Sequence, residues 1–325
     1  MARYLVTGAA GFIASRVIDL LLGDGHSVLG VDNLNDAYDV RMKEYRLSHL
    51  NGRVGFEFHR LDISEREDMD QLAASLGKVD GVINLAARAG VRSSVENPWV
   101  YYSTNVTGTL NLLELCRRAD IPKFVLASSS SVYGANPPLP TPEDAPTDRP
   151  LQPYASSKQA AETLAYTYHY LHGIDVTIFR YFTVYGPAGR PDMSMFRFAQ
   201  WISEGQPVRL NGDGTQSRGF TYLDDIARGT ILGLRPLGYE IINLGGHEII
   251  TMNALIGMLE ERIGKKALVE YLPRHSADAM ANNANVEKAR RVLGWQPQVN
   301  LDAGVTHLVD WYKANRSWAS AILTK

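Results

Sequence analysis

The stretch that most restricts the fold lies at the start of the chain. Arg3-Tyr4-Leu5-Val6-Thr7 reads as a buried strand, and it runs directly into Gly8-Ala9-Ala10-Gly11-Phe12-Ile13-Ala14. An apolar-periodic helix follows, carrying Val17, Ile18, Leu21 and Leu22. Strand, glycine-rich turn and helix in that order put backbone N–H groups and a helix N-terminus where a pyrophosphate can sit. Gly8 permits the tight turn, and Gly11 lets the backbone come close to the phosphates. Ala10, Phe12 and Ile13 are cofactor candidates from the same turn, and Ala14 is small enough for close helix packing. A ligand-free tight turn would use the same glycines, so this element alone leaves both readings open.

The segments that follow repeat the pattern. Ser27-Val28-Leu29-Gly30-Val31 is a second strand, and it ends at Asp32-Asn33. A carboxylate about 20 residues past the turn is where the adenosine ribose hydroxyls are held, and it repels a 2′-phosphate. NAD is therefore expected over NADP, although the cations Arg41 and Lys43 follow. A third strand, 54–58, leads to Asp62 and Ile63, placed to meet an adenine. The fourth, 81–85, ends in Leu85-Ala86-Ala87, small enough for a flat ring to lie against the backbone. A long helix is predicted from near Pro98 to Arg118, with Asn105 buried early in it. The fifth strand, 123–127, runs into four serines, 128–131. A proline-rich acidic loop precedes the helix that begins near Tyr154, and the sixth strand, 175–180, leads to Tyr181. Ser128, Asn105 and Tyr181 complete the cofactor candidates.

Alternating β and α segments with short connections predict an α/β fold, a Rossmann doubly wound parallel sheet. Residues 1–180 are read as an NAD-binding domain and 181–325 as a smaller α+β substrate lobe. Parts of 220–245, including the strand-like Glu240-Ile241-Ile242-Asn243-Leu244, and the C-terminal helix are expected to return to the first domain.

Composition narrows the partners. The formal charge is −2 with no basic tract, which argues against nucleic acid. No run of 18 apolar residues predicts a membrane span, and the chain enters its first turn without the apolar core of a signal peptide. The single cysteine, Cys116, sits among Leu112, Leu113 and Leu115 and reads as core; it allows no internal disulfide. No His/Asp/Glu cluster has metal-ligand spacing, and the lone His275 reads as a polar loop residue. A cytoplasmic protein without metal is expected.

The chemistry is carried by Tyr154-Ala155-Ser156-Ser157-Lys158. Four residues apart on a helix, Tyr154 and Lys158 share a face. A free phenol has a pKa of about 10 and is a poor base at neutral pH; a nearby ammonium favours the phenolate. The pair is a way to build a general base that takes a proton from a sugar or alcohol hydroxyl. Alone it is a weak signal.

Gly8/Gly11, Asp32, the serine cluster and Tyr154/Lys158, in that order, make the chain resemble the extended short-chain dehydrogenase/reductase superfamily. Within it, the chain is most similar to the nucleotide-sugar 4-epimerases, those acting on UDP-glucuronate above all. The resemblance covers nearly the whole chain, including Asn105-Val106-x-Gly108-Thr109, Arg180-Tyr181-Phe182-Thr183-Val184-Tyr185-Gly186-Pro187 and Thr221-Tyr222-Leu223-Asp224-Asp225. It implies that Ser129, four residues before Tyr133 and 25 before Tyr154, is the catalytic serine beside the sugar O4. Relatives that dehydrate or decarboxylate carry acids where this chain has Ser130-Ser131, so oxidation and reduction at C4 is the chemistry implied.

The resemblance also implies a substrate set: Arg88, Ser129, Ser130, Thr183, Arg190 on Gly189-Arg190-Pro191-Asp192-Met193, Arg218, and Asp278. Arg190 is expected to grip a C6 carboxylate bidentately; Arg92 reads as either a further candidate or a structural residue. Two departures stand out: Gly219 follows Arg218 where an acid is usual, and Arg274-His275-Ser276-Ala277-Asp278 replaces the usual Pro-Gly-Asp. UDP-glucose or UDP-N-acetylglucosamine 4-epimerisation, a dehydrogenase releasing reduced cofactor, and an NAD-binding protein without turnover remain alternatives. A homodimer is expected through the helices starting near Pro98 and Pro153, which carry apolar residues on more than one side (Leu110, Leu113, Leu164, Tyr168) and could form a four-helix interface.

Overall fold

The computed structural model describes residues 1–273 and 281–324. Six strands alternate with helices through the first part of the chain: β1 (Arg3–Thr7), β2 (Ser27–Val31), β3 (Phe56–His59), β4 (Gly81–Asn84), β5 (Lys123–Ser129) and β6 (Asp175–Tyr181). The later strands are β7 (Thr183–Tyr185), β8 (Pro207–Asn211), β9 (Ser217–Tyr222), β10 (Tyr239–Leu244), β11 (Glu248–Thr251) and β12 (Leu268–Leu272).

One seven-stranded sheet runs β10-β6-β5-β4-β1-β2-β3, and every pairing in it is parallel. Its strands are short apolar runs, Leu5, Val6, Val28, Leu29, Val82, Ile83 and 124–126, all buried because helices cover both faces. This is the doubly wound sheet expected. The strand order reverses between β1 and β4, which leaves a crevice at their carboxyl ends.

The segment 239–244 joins this sheet beside β6, with Leu244 opposite Tyr181. The remainder builds a smaller unit: the three-stranded β11-β9-β7 sheet and the parallel β12-β8 pair. They surround a core of Met195, Phe198, Trp201, Phe220, Leu255 and Leu308. The C-terminal helix Leu301–Ala319, expected against the first domain, packs chiefly on helices Ser194–Glu204 and Met252–Ile263. Its apolar face (Leu301, Val305, Leu308, Val309, Tyr312) belongs to that smaller core. It meets the first domain at Tyr45, through Trp311 and Trp318.

The helix expected to run unbroken from Pro98 contains a π-helical turn at Ser103–Thr107 between Trp99–Tyr102 and Gly108–Arg118. That turn buries Asn105, at 1 % exposure. Such insertions gather at functional sites. Among the described residues, no helix is long and apolar enough to cross a membrane.

Candidate active site

At the β1/β4 crevice, backbone packing leaves no room for a side chain on the turn. Gly8 has φ +72°, and a Cβ there would lie 2.8 Å from the Ala86 nitrogen. The Gly11 N–H donates to the Gly8 carbonyl at 2.7 Å, closing the turn. Asp32, at the end of β2, accepts from the N–H groups of Ala10 (3.2 Å) and Leu34 (2.8 Å). A cavity of about 80 Å³ here is lined by Gly8, Gly11, Asp32, Asn33, Asp62, Ile63, Leu85, Ala86 and Ala87. Asp62 binds Asn33 Nδ2 (2.6 Å) and the Ser64 hydroxyl (2.7 Å). Burial pushes its carboxyl up, and these bonds more than reverse that, so its pKa is lowered.

This crevice continues, past Gly8, Gly11 and Tyr38, into a larger cavity of about 440 Å³. Phe12, Ile13, Ser128, Ser129, Ser130, Tyr154, Lys158, Tyr181, Thr183, Arg190 and Arg218 all line it. Residues far apart in sequence thus converge at the carboxyl ends of β5 and β6. Pro153 at the first turn and Gly173 in the left-handed conformation after the last bound the Pro153–His172 helix. That helix presents Tyr154 and Lys158 to the cavity.

Lys158 is 4 % exposed, and its Nζ donates to the Ala127 carbonyl at 2.8 Å. Burial pulls the ammonium down to about 8, against the Glu162 carboxylate one turn further on, which raises it. Burial raises the Tyr154 phenol; the Ser129 hydroxyl and the Arg190 charge pull it back. The Lys158 ammonium is engaged by the backbone of β5.

The serines divide their labour. Ser129 accepts from the Ser131 N–H at 3.2 Å, capping the 3-10 turn Ser130–Tyr133. The Ser128 hydroxyl donates to Glu162, which also receives Arg180 through Nε (3.0 Å) and Nη2 (2.8 Å). Ser130 accepts from Asn282 Nδ2 at 3.2 Å. Tyr181 turns its hydroxyl to Thr230 (2.7 Å), so it can offer the cavity only its ring.

Arg190 is already half engaged. Its Nε and Nη2 donate to the two oxygens of Asp192 at 3.0 and 2.5 Å, and Nη2 also reaches the Ala89 carbonyl at 3.2 Å. Burial works against the guanidinium, and Asp192 more than offsets it, so the Arg190 pKa is raised.

Three positions singled out in the sequence acquire a structural setting here. Arg88 does not line the sugar end: Asn105 holds its backbone on both sides, at 2.9 and 3.0 Å, and its charge bears on Asp62 at the other end of the crevice. Asn105 also donates to Ser157 Oγ (2.9 Å), so it braces the Tyr154 helix. Gly219 in place of an acid has a steric cause, since a Cβ there would come within 2.1 Å of the Gly246 carbonyl. Asp278 and His275 lie outside the described residues.

Sequence reasoning missed several residues. Tyr38 lines both cavities. Lys43, 3.6 Å from Asp32, and Arg46 lie on the buried face of helix Arg41–Ser48 together with Met42 and Leu47. Two cations on the apolar side of one helix were the available signal. Glu162 lies on the same helical face as Tyr154 and Lys158, eight and four residues on, and was equally readable. Arg197 is half-buried against Trp201 (4.5 Å to the ring), and its buried Nε has no partner. Its pKa is lowered by burial and by Arg92 and Arg209. Asn211, with its amide oxygen turned inward, accepts Nη1 and Nη2 of Arg92 at 3.0 and 2.9 Å.

A nucleotide-binding crevice joined to a Ser-Tyr-Lys site defines a class, and comparison with known proteins agrees. Residues 4–245 match the NAD dependent epimerase/dehydratase family, and the chain belongs to it. It is 54 % identical over 316 residues to a UDP-glucuronate 4-epimerase of Thermodesulfobacterium geofontis, covering 97 % of both chains. UDP-glucuronic acid 4-epimerase from Bacillus cereus, solved with UDP-glucuronic acid and NAD, superposes with a TM-score of 0.90 at 36 % identity, over 96 % of this chain and 99 % of that one. UDP-glucose 4-epimerase from Thermotoga maritima, solved with UDP-glucose, gives 0.87 at 31 % identity, over 97 % and 99 %. Fold similarity alone therefore does not separate the acidic sugar from the neutral one.

Proposed function

We propose that this protein is an NAD-dependent UDP-glucuronate 4-epimerase, interconverting UDP-glucuronate and UDP-galacturonate. The observation that carries the reading is the lining of the larger cavity. It holds Ser129, Tyr154, Lys158 and Arg190 and, among the described residues, no carboxylate. A proton acceptor is in place at C4 and none for C5, so elimination has no base, while a guanidinium awaits an acidic sugar.

The crevice fits NAD. Any side chain at Gly8 would fill the space against Ala86, and Asp32 stands where ribose hydroxyls need an acceptor. When bound, the nicotinamide takes the C4 hydride and returns it to the opposite face of the ring. Tyr154 removes the O4 proton, assisted by Ser129, and gives it back after the 4-keto sugar has turned. Burial raises the phenol, and the Lys158 ammonium together with the positive charge of a bound oxidised nicotinamide would lower it. Lys158 holds the nicotinamide ribose.

Arg190 steadies the C6 carboxylate. A 4-keto uronate is a β-keto acid that loses CO2 when its carboxylate stands perpendicular to the carbonyl plane, and a fixed guanidinium prevents that geometry. Because Asp192 occupies the Nε edge, the substrate meets the Nη1 side, with Thr183 beside it. Arg218, on the cavity wall, faces the diphosphate, and Arg197 and Arg92 add neighbouring positive charge on the lobe.

Residues 1–180 with parts of 220–245, β10 among them, form the cofactor domain and the remainder the nucleotide-sugar lobe. The enzyme works in the cytoplasm, where both its cofactor and its nucleotide sugar are made. It is a homodimer through the 99–118 and 153–172 helices. Leu113 is fully buried and Leu164 and Tyr168 pack on the core, so the interface is carried by Trp99 (82 % exposed), Tyr102, Tyr170 (75 %) and Leu171.

Product analysis with UDP-glucuronate, UDP-glucose and UDP-N-acetylglucosamine in parallel tests the assignment. Arg190→Ala should cost about 2–5 kcal/mol in transition-state binding of UDP-glucuronate, release some 4-keto pentose, and spare any UDP-glucose turnover. Wild-type epimerisation of UDP-glucuronate by the variant would make the neutral sugar the better reading.

A further inference from the structure

Arg46 lies on helix Arg41–Ser48 and is 4 % exposed. Its guanidinium spends all five N–H groups. Nη1 donates to the Ala10 carbonyl (3.3 Å) and the Tyr38 hydroxyl (2.8 Å). Nε and Nη2 converge on the Ala188 carbonyl (3.0 and 2.8 Å), and Nη2 also reaches the Gly189 carbonyl (3.1 Å). No acceptor is a carboxylate, so the group is held by dipoles alone, a costly way to bury a charge unless geometry is what it provides.

The acceptors belong to two sites. Ala10 is in the glycine-rich turn at the cofactor crevice. Ala188 and Gly189 are the two residues before Arg190, and Ala188 sits at φ +53°, a strained value for a residue with a Cβ. Tyr38, in the same fork, packs beside the Arg190 guanidinium at 5.9 Å from ring centroid to Cζ. One rigid plane therefore spans from the turn that receives the pyrophosphate to the loop that carries the carboxylate clamp. We infer that Arg46 is a positioning residue for the sugar specificity of this site: it ties the Arg190 loop and Tyr38 to the cofactor turn and so sets where the clamp stands. The inference rests on the reading of Arg190 as the contact to a hexuronate carboxylate.

Lysine cannot reproduce this role, because three donors on one nitrogen do not reach four acceptors arranged around a plane. The test uses NAD-loaded enzyme with UDP-glucuronate as substrate and compares Arg46→Lys, Arg190→Ala and the double variant. Arg46→Lys should raise KM for UDP-glucuronate about tenfold while kcat changes less than about threefold. In the Arg190→Ala background it should add almost nothing, because the residue it positions is gone. Tyr38→Phe, which deletes one acceptor and leaves the fold intact, should move KM the same way by about threefold if the fork sets the clamp.

Wild-type KM in both Arg46→Lys and Tyr38→Phe overturns the inference, as does an Arg46→Lys effect that is fully additive with Arg190→Ala. If Arg190→Ala cripples turnover and Arg46→Lys does not, only the positioning role has failed. If Arg190→Ala leaves UDP-glucuronate turnover unchanged, the carboxylate reading falls, and this inference with it.

Discussion

The two walls of the cavity handle buried charge in opposite ways. On the sheet side, Glu162 and Arg180 form a bidentate pair with side chains 6 % and 5 % exposed. Ser128 completes Glu162, and the Glu143 carbonyl takes Arg180 Nη1 at 2.9 Å. Arg180 also stacks on Tyr133, 4.8 Å away, whose hydroxyl donates to Asn243 at 2.6 Å. On the lobe side, Arg190 and Arg197 lean on Asp192, and Arg197 leaves its Nε unpartnered. A closed network holds the reacting groups still; an excess of cations waits for the anions of a nucleotide sugar. The wall that performs chemistry is finished without ligand, and the wall that recognises ligand is not.

The largest effect should come from the finished wall. Tyr154→Phe removes only the proton acceptor and should lower kcat by about 10²–10⁴-fold. Bound NAD, measured after denaturing the purified variant, should stay at the wild-type ratio. Loss of NAD together with activity would mean that Tyr154 builds the crevice and does not serve as its base.

Glu162→Gln strikes the network itself. Removing one partner of a buried, hydrogen-bonded pair leaves Arg180 uncompensated, a loss of about 3–5 kcal/mol in unfolding free energy. Urea denaturation reads this directly, and a change under 1 kcal/mol would show that the network is not the rigid element argued here. The same substitution removes the group that raises Lys158, so the alkaline limb of the pH–rate profile should move down.

That limb is a prediction in its own right. With its ammonium lowered to about 8, Lys158 loses its proton above that pH, and kcat/KM should fall roughly tenfold per unit there. Stability follows the opposite sign. A lysine whose folded pKa is depressed is held less tightly by a proton in the folded state than in the unfolded one. The unfolding free energy of wild type relative to Lys158→Met should therefore rise from about pH 8 toward the unfolded value near 10.4. Activity falling while this difference rises is the expected signature; both falling together would contradict it.

Most of the finished wall was visible in sequence, and little of the other. The glycine turn, Asp32, Ser129, Tyr154 and Lys158 lie on regular elements whose periodicity fixes their direction, and the sheet gathers strand ends at one edge. Asn105 was found without its partners, because helical spacing does not foresee a π-helical turn that brings its amide to Arg88 and Ser157. Arg88 failed for a related reason: a strand end predicts small residues against a ring, not the direction of a long side chain beyond them. On the lobe side the groups come from loops and from helices such as Ser194–Glu204 and Arg41–Ser48, and their partners are carbonyls of segments more than 100 residues away. No local pattern encodes such contacts.

The smallest effect is the most discriminating. Arg197 is half-buried, its guanidinium lies over Trp201, and burial together with Arg92 and Arg209 lowers its pKa. Arg197→Met keeps most of the volume and removes a charge that the empty site does not need. Replacing a poorly paired buried ion by an apolar group of similar size is neutral or stabilising. Asp192 keeps its bidentate Arg190, so the expected change is within about 1 kcal/mol of zero, on the stabilising side, against a loss of about 3–5 kcal/mol for Glu162→Gln. The cost should appear only with ligand: affinity for UDP, measured by calorimetry on NAD-loaded enzyme, should weaken about tenfold, or roughly 1.4 kcal/mol. Stability and binding then move apart on the lobe side, whereas on the sheet side the substitution costs stability outright. If Arg197→Met destabilises the chain as much as Glu162→Gln does, its charge is already paired without substrate, and the contrast between the two walls disappears.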